Sequence, residues 1–169
     1  MKIRLEEEKD YFMNENLTRE AFWNVYRPGC YEHYILHKIR TDKCYVKELS
    51  YVMEDKQRLV GSIVYAKGKV RNENGINEVL LFGPVSILPE YQGAGYGKKL
   101  IKFTLKKAKE LGYPAVVITG KPEYYEKLGF KSASKYNIFY KGMENEENLF
   151  FMVKVLDRHK MKSIYGIYS

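Results

Sequence analysis

Gln92-Gly93-Ala94-Gly95-Tyr96-Gly97 places three glycines within six residues, directly ahead of a run with helical periodicity. Glycines there let the backbone approach a ligand closely, and the first-turn N–H groups and the dipole of the following helix favour an anion. The chemistry such a segment can do is to hold a phosphate or pyrophosphate. Two common glycine motifs fail on this chain. The dinucleotide pattern G-x-G-x-x-G, counted from Gly93 and Gly95, meets Lys98 where its third glycine belongs. The nucleotide loop G-x-x-x-x-G-K-[ST] meets Gln92 at its first glycine and Lys99 where a hydroxyl should bind magnesium.

What remains is Gln92-x-x-Gly95-x-Gly97 preceded by Val85-Ser86-Ile87-Leu88-Pro89-Glu90-Tyr91, and it resembles the coenzyme A signature of the GNAT acetyltransferases. Gly120 to Phe130, reading Gly-Lys-Pro-Glu-Tyr-Tyr-Glu-Lys-Leu-Gly-Phe, is similar to that family's later motif, a short aromatic-bearing helix ending in Gly-Phe. Glu48-Leu49-Ser50, Val60-Gly61 and Leu81-Phe82-Gly83-Pro84 resemble the subset described as YhbS-like. The resemblance covers roughly residues 45 to 155. It implies that acetyl-CoA is the cosubstrate, with no metal. It also implies that backbone groups of Ile87 and Leu88 meet the pantetheine arm, and that Gln92, Gly93, Ala94, Gly95, Tyr96, Gly97 and Lys98 surround the pyrophosphate.

The implied reaction is attack of a neutral amine on a thioester. It needs a proton acceptor, a stabiliser for the oxyanion and a proton donor for the leaving thiolate. The resemblance gives the oxyanion to the Leu88 N–H. By the spacing Tyr-x-x-x-Gly-Phe it gives the thiolate to Tyr125, whose hydroxyl stays protonated at neutral pH. The base is where the sequence departs from better understood members. Several of those carry a glutamate on the strand before the signature, whereas this strand has Glu78 and then only Val79-Leu80-Leu81-Phe82. A base acting through water, or an acceptor that arrives neutral, is the expectation. Glu32 and His33, beside Pro28-Gly29-Cys30, lie where the family shapes its acceptor pocket, and a histidine accepts protons near neutrality. Cys30 is a weaker candidate because direct transfer needs no acyl-enzyme.

These residues need elements to position them. Met1 to Glu7 reads as a strand, Thr18 as the N-cap of a helix carrying Ala21, Phe22, Val25 and Tyr26, and Tyr31 to Thr41 as a second helix. Tyr45 to Glu54 and Leu59 to Val70 suit a hairpin about Asp55-Lys56-Gln57, and Asn74-Gly75 suits the next turn, giving a three-strand meander. From Gly95 the apolar residues Leu100, Ile101, Leu105, Ala108 and Leu111 share a helical face, with Gly112 as the stop. Pro114 to Thr119 is a strand covered on both faces. A helix over Glu123 to Leu128 and strands near Tyr136 to Tyr140 and Leu149 to Val155 follow. The expected fold is a mixed α/β, GNAT-like one: a mostly antiparallel sheet of about seven strands with one parallel crossover, flanked by about four helices. Residues 1–156 read as the N-acetyltransferase domain and 157–169 as an extension packed on that domain or on a partner.

Composition bounds the remaining readings. The chain of 169 residues carries a net charge of +8, spread along its length but concentrated at Lys98, Lys99, Lys102, Lys106, Lys107 and Lys109. On a helix Lys98, Lys102, Lys106 and Lys109 form a stripe opposite the apolar face, read as solvated. A basic nucleic-acid binder lacks any recognised motif here, so no nucleic-acid partner is expected. No apolar run is long enough to span a membrane, and the N-terminus turns charged too soon for a signal peptide, so a cytoplasmic protein is expected. Cys30 and Cys44 read as thiols. The leading function is an acetyl-CoA-dependent transferase acting on a primary amine of a small molecule or an exposed protein amine, by direct transfer. The alternative is an acetyl-CoA-binding sensor or scaffold with little catalysis. A homodimer is compatible with either.

Overall fold

The computed structural model describes residues 1–144 and 147–169. The chain forms two compact units, Met1–Ala66 with Gly83–Thr104, and Lys67–Phe82 with Leu105–Ser169. Three long elements run through both: β3 (Arg58–Asn72), β4 (Gly75–Ile87) and α3 (Tyr96–Glu110).

Unit 1 also contains β1 (Lys2–Leu5), α1 (Tyr11–Phe22), α2 (Glu32–Ile39) and β2 (Tyr51–Asp55). Its strands follow the order β1-β2-β3-β4, with β1 and β3 both antiparallel to β2. Lys56 and Gln57, at φ +48° and +69°, turn the chain between β2 and β3, as the twist of a two-residue hairpin demands. Leu36, Leu49, Val52, Met53, Val60, Ile63, Leu100 and Ile101 are fully buried. Removing each such side chain from water contributes about 1.5–3 kcal/mol.

Unit 2 adds β5 (Ala115–Thr119), α4 (Pro122–Tyr125), β6 (Lys131–Ser132), β7 (Ile138–Tyr140), β8 (Phe151–Val155), α5 (Arg158–Met161) and β9 (Gly166–Tyr168). β4 pairs parallel with β5, and the pairing is limited to Leu80 with Val116 and Leu81 with Val117. Just beyond it, Gly83 at φ +143° is joined to Pro84 by a cis peptide, and Pro84 has no N–H to give to a ladder. β8 lies antiparallel to β5 and β6. The core gathers Val70, Val79, Val117, Ile138, Val153 and Tyr168.

The mixed, mostly antiparallel sheet and its parallel crossover are those expected. There are nine strands among the described residues, rather than about seven, because the short β6 and β9 carry no periodicity long enough to read. The C-terminal residues show no break at 156. β9 pairs antiparallel with β3, through Val70 and Tyr168, and parallel with β7, and Met161 and Ile164 are buried in the same core.

Several expectations fail locally. Thr18 does not cap a helix. It is buried inside α1, which begins earlier because the Glu7 N–H donates to Asp10 Oδ2 at 2.8 Å and starts a 3-10 turn over Glu8–Asp10. Val25 and Tyr26 lie beyond the end of α1 and are exposed. Tyr45 to Glu54 is not one strand: a bridge from Tyr45 to Ala66 is followed by a 3-10 turn, Lys47–Leu49, before β2. The second turn is centred on Glu73 and Asn74, with Gly75 already in β4. Leu111, expected on the buried face of α3, lies past its end and is exposed.

Candidate active site

In unit 1 the signature follows β4. A 3-10 turn, Pro89–Tyr91, leaves the strand, held by the Tyr91 N–H on Leu88 O at 2.8 Å and by the Tyr91 hydroxyl on Asp55 Oδ2 at 2.9 Å. Gln92 is exposed. Its Nε2 donates to Ile87 O at 2.9 Å, which ties the loop back onto the strand. Gly93 and Gly95 then adopt φ +79° and +85°, and a β-carbon at either would meet nothing within 4 Å. Residues 92–95 are exposed. Here glycine serves backbone conformation and an open approach to the chain. Lys98 falls in the first turn of α3, whose fifteen residues align a dipole with its positive end at the loop.

Ile87 is set by a close approach. A β-carbon on Gly61 would stand 2.8 Å from Ile87 Cδ1, 3.3 Å from Met53 Cβ and 3.4 Å from Ser86 O, so glycine there leaves room for the Ile87 side chain. The Leu88 N–H, expected to face a developing oxyanion, donates to Val60 O at 2.9 Å. With its one hydrogen given to β3, it does not serve as that donor in this structure, which corrects the expectation for Leu88. The Ile87 carbonyl accepts from Gln92 and keeps a second lone pair.

The end of β4 is also anchored from behind. The buried Ser86 hydroxyl donates to Thr18 Oγ1 at 3.0 Å, and Thr18 reaches Asn14 Oδ1 at 3.5 Å. Asn14 Nδ2 donates to Glu6 Oε1 at 2.6 Å, and Arg40 Nη2 donates to the same oxygen at 2.6 Å. Burying so many polar groups is tolerated because nearly all find a partner, Arg40 Nε being left without one. The chain links β1, α1 and α2 to the residue before Ile87.

Glu32 and His33 open α2. Glu32 Oε2 accepts from the Tyr31 N–H at 3.0 Å, and His33 Nδ1 lies 3.3 Å from Cys30 Sγ. Burial, reinforced by the Glu32 carboxylate, pushes the Cys30 thiol above its ordinary value, so the pair does not favour a thiolate nucleophile. A cavity of about 540 Å³ beside Pro89 is lined by Arg19, Glu20 and Trp23, and neither Glu32 nor His33 is part of its lining. Sequence reading missed these three. Trp23, the sole tryptophan, was the available signal, and its ring rests against Gly29.

In unit 2, Tyr125 ends α4 within an aromatic cluster, its ring centroid 4.9 Å from Tyr124, 5.5 Å from Phe130 and 6.2 Å from Phe82. A β-carbon at Gly120 would collide with the Tyr125 ring, so that glycine makes room for it. Gly129, at φ +89°, ends the following turn and directs Phe130 inward, where it is fully buried. Burial pushes the Tyr124 hydroxyl up from its ordinary value. Glu78, the one acid in this part of β4, pairs with Lys67 at 3.3 Å. Among the described residues, no three His, Cys, Asp or Glu side chains are grouped to hold a metal, and no helix is long and apolar enough to cross a membrane.

Residues 46–132 match the family model for the acetyltransferase (GNAT) domain. The chain belongs to the GNAT acetyltransferases. This GNAT chain is 28% identical over 83 residues to the uncharacterized N-acetyltransferase YjhQ of Escherichia coli K12, a match covering 49% of this chain and 46% of YjhQ. Against the uncharacterized N-acetyltransferase YhbS of the same strain it is 25% identical over 104 residues, covering 62% of this chain and 60% of YhbS. The matched stretch thus spans about half to three fifths of these curated relatives. The GNAT fold superposes on the crystal structure of Escherichia coli YhbS in complex with CoA at a TM-score of 0.83, with 23% identity, over 99% of this chain and 87% of that one. A GNAT family acetyltransferase from Brucella melitensis in complex with acetyl-CoA superposes at 0.79, with 24% identity, over 99% and 94%.

Proposed function

We propose that this chain is an acetyl-CoA-dependent N-acetyltransferase that moves an acetyl group directly to a primary amine. The observation that carries this reading is the loop of Gly93 and Gly95, both at positive φ, open to solvent and leading into the N-terminus of α3. That arrangement fits a pyrophosphate, since backbone N–H groups and the helix dipole are presented without side chains in the way. The complexes of YhbS with CoA and of the Brucella melitensis protein with acetyl-CoA support the same cosubstrate.

Acetyl-CoA, when bound, supplies the activated acetyl thioester. Gly93 to Lys98 bind its pyrophosphate, and Gln92 holds the loop to Ile87. The Tyr125 hydroxyl holds the proton that a departing thiolate needs; a phenol matches an alkyl thiol in acidity and stays protonated at neutral pH. Glu20, in the cavity beside Pro89, is the acid best placed to receive an acceptor ammonium, and Trp23 gives that cavity an apolar wall. Thiol release from acetyl-CoA over a panel of amines, polyamines, aminoglycosides and peptides tests the reading, repeated with Tyr125→Phe. An unchanged kcat in that variant removes Tyr125 from its role.

One observation favours a second reading, a sensor that binds acetyl-CoA with little transfer. The Leu88 N–H is committed to Val60 O, leaving no assigned oxyanion donor. Acetyl-CoA binding without thiol release for any amine would select it.

A further inference from the structure

Unit 2 holds a second cavity, of about 660 Å³, lined by Lys131, Lys154, Arg158 and Lys162 together with Tyr136 and Gly129. Its lining has four cationic side chains and no carboxylate. Some cations elsewhere find acids: Arg58 pairs with Glu90 at 2.9 Å, Lys67 with Glu78 at 3.3 Å and Lys107 with Glu110 at 3.5 Å. Among the described residues none of these four cations forms an ion pair. The nearest acid in sequence, Asp157, is used otherwise: its Oδ1 accepts the N–H groups of His159 at 2.9 Å and Lys160 at 3.1 Å. Its carboxyl is held below the ordinary range by those bonds. Glycine at 129 leaves room for the Lys154 ammonium, which would collide with any β-carbon there.

Four like charges around one concavity repel one another, and each stays in water unless an anion gathers them. The volume lies within the range of small-ligand pockets. A single phosphate would balance at most half the charge, whereas a chain of three phosphates carries about four negative charges at neutral pH. Lysines suit such a ligand as mobile point charges, and Arg158 adds a planar fork that can bond two oxygens of one phosphate. We infer that this cavity is a binding site for a small polyphosphate-bearing anion, separate from the signature loop, since it shares no residue with it. Tripolyphosphate and a nucleoside triphosphate share the chemistry that the four cations recognise.

The test is calorimetric titration of tripolyphosphate into the full chain already saturated with CoA, at low and at physiological ionic strength. Binding of one equivalent in the presence of CoA is expected, weaker at the higher salt. Lys154→Gln with Arg158→Gln should weaken it by about tenfold or more, the loss of two charge-assisted bonds, while CoA affinity is unchanged. Lys131→Gln with Lys162→Gln, both at exposed positions, repeats the test should the first pair disturb folding. ATP in place of tripolyphosphate separates the two sources: tighter binding of ATP assigns a nucleotide, and equal or weaker binding assigns the phosphate chain alone. The site is overturned if CoA saturation abolishes tripolyphosphate binding, if both double variants bind it like the parent, or if no binding is seen.

Discussion

Gly95 in unit 1 and Gly120 in unit 2 both adjoin residues assigned to chemistry, yet a side chain at each would meet a different obstacle. At Gly95 space is open and the backbone conformation forbids the change, whereas at Gly120 a side chain would run into the Tyr125 ring. The first glycine keeps a surface bare. The second fixes an aromatic ring in place. Together they show that a glycine next to a site is informative only once it is known whether conformation or contact demands it.

The predictions test that contrast. The largest effect is expected for Tyr125→Phe, which keeps the ring packed against Gly120 and removes only the proton donor. Its kcat should fall about a hundredfold, as for loss of a general acid, with KM for acetyl-CoA and the melting temperature nearly unchanged in steady-state and thermal assays. Gly95→Val asks a β-branched residue to hold a positive φ, at a cost of about 2 kcal/mol. Calorimetry should show CoA affinity reduced by about thirtyfold, through conformation alone, since nothing stands near the added atoms. Gly120→Ala should act in the opposite manner, lowering stability in urea by about 1–3 kcal/mol through overpacking and reducing kcat, while leaving CoA affinity near that of the parent. If Gly95→Val and Gly120→Ala shift stability and affinity alike, the contrast fails.

The smallest effect concerns acid. In unit 1 Arg4 pairs with Asp10 at 2.7 Å and with Glu54 at 2.7 Å. Its guanidinium holds both carboxyls below their ordinary range. Depressed carboxyl pKa values in the folded state mean that this stabilisation is complete above the unfolded values, about 4. It is lost as pH falls below them through the folded values. Amide hydrogen exchange followed from pH 6 to pH 3 should show β1 and β2 losing protection below about pH 4, and Asp10→Asn should flatten that dependence. Loss of protection in β1 as pH rises would contradict the assignment.

The sequence disclosed what is local and hid what is not. The glycine loop and α3 are written in adjacent residues, so spacing and periodicity revealed them, while the Tyr125 to Phe130 motif came from the resemblance to the family. Thr18 and Ser86 look like surface or capping residues, and only the fold shows them buried against each other. The Leu88 N–H was misassigned because its partner, Val60 O, lies on another strand. The cavity beside Pro89 draws on α1 and the turn that follows it, and the basic cavity draws on residues from 129 to 162. Neither grouping leaves a periodic trace along the chain.

β9 carries a consequence for how the protein is made. Its residues Gly166–Tyr168 supply ladder partners to both β3 and β7, and Tyr168 closes over Val70. A ribosome releases Val70 and its partner Tyr168 nearly a hundred residues apart. Until the later ones leave the exit tunnel, the nascent chain presents β3 and β7 as open edges, the template on which strands of other molecules can add. A pause in translation shortly before Gly166 would prolong that interval.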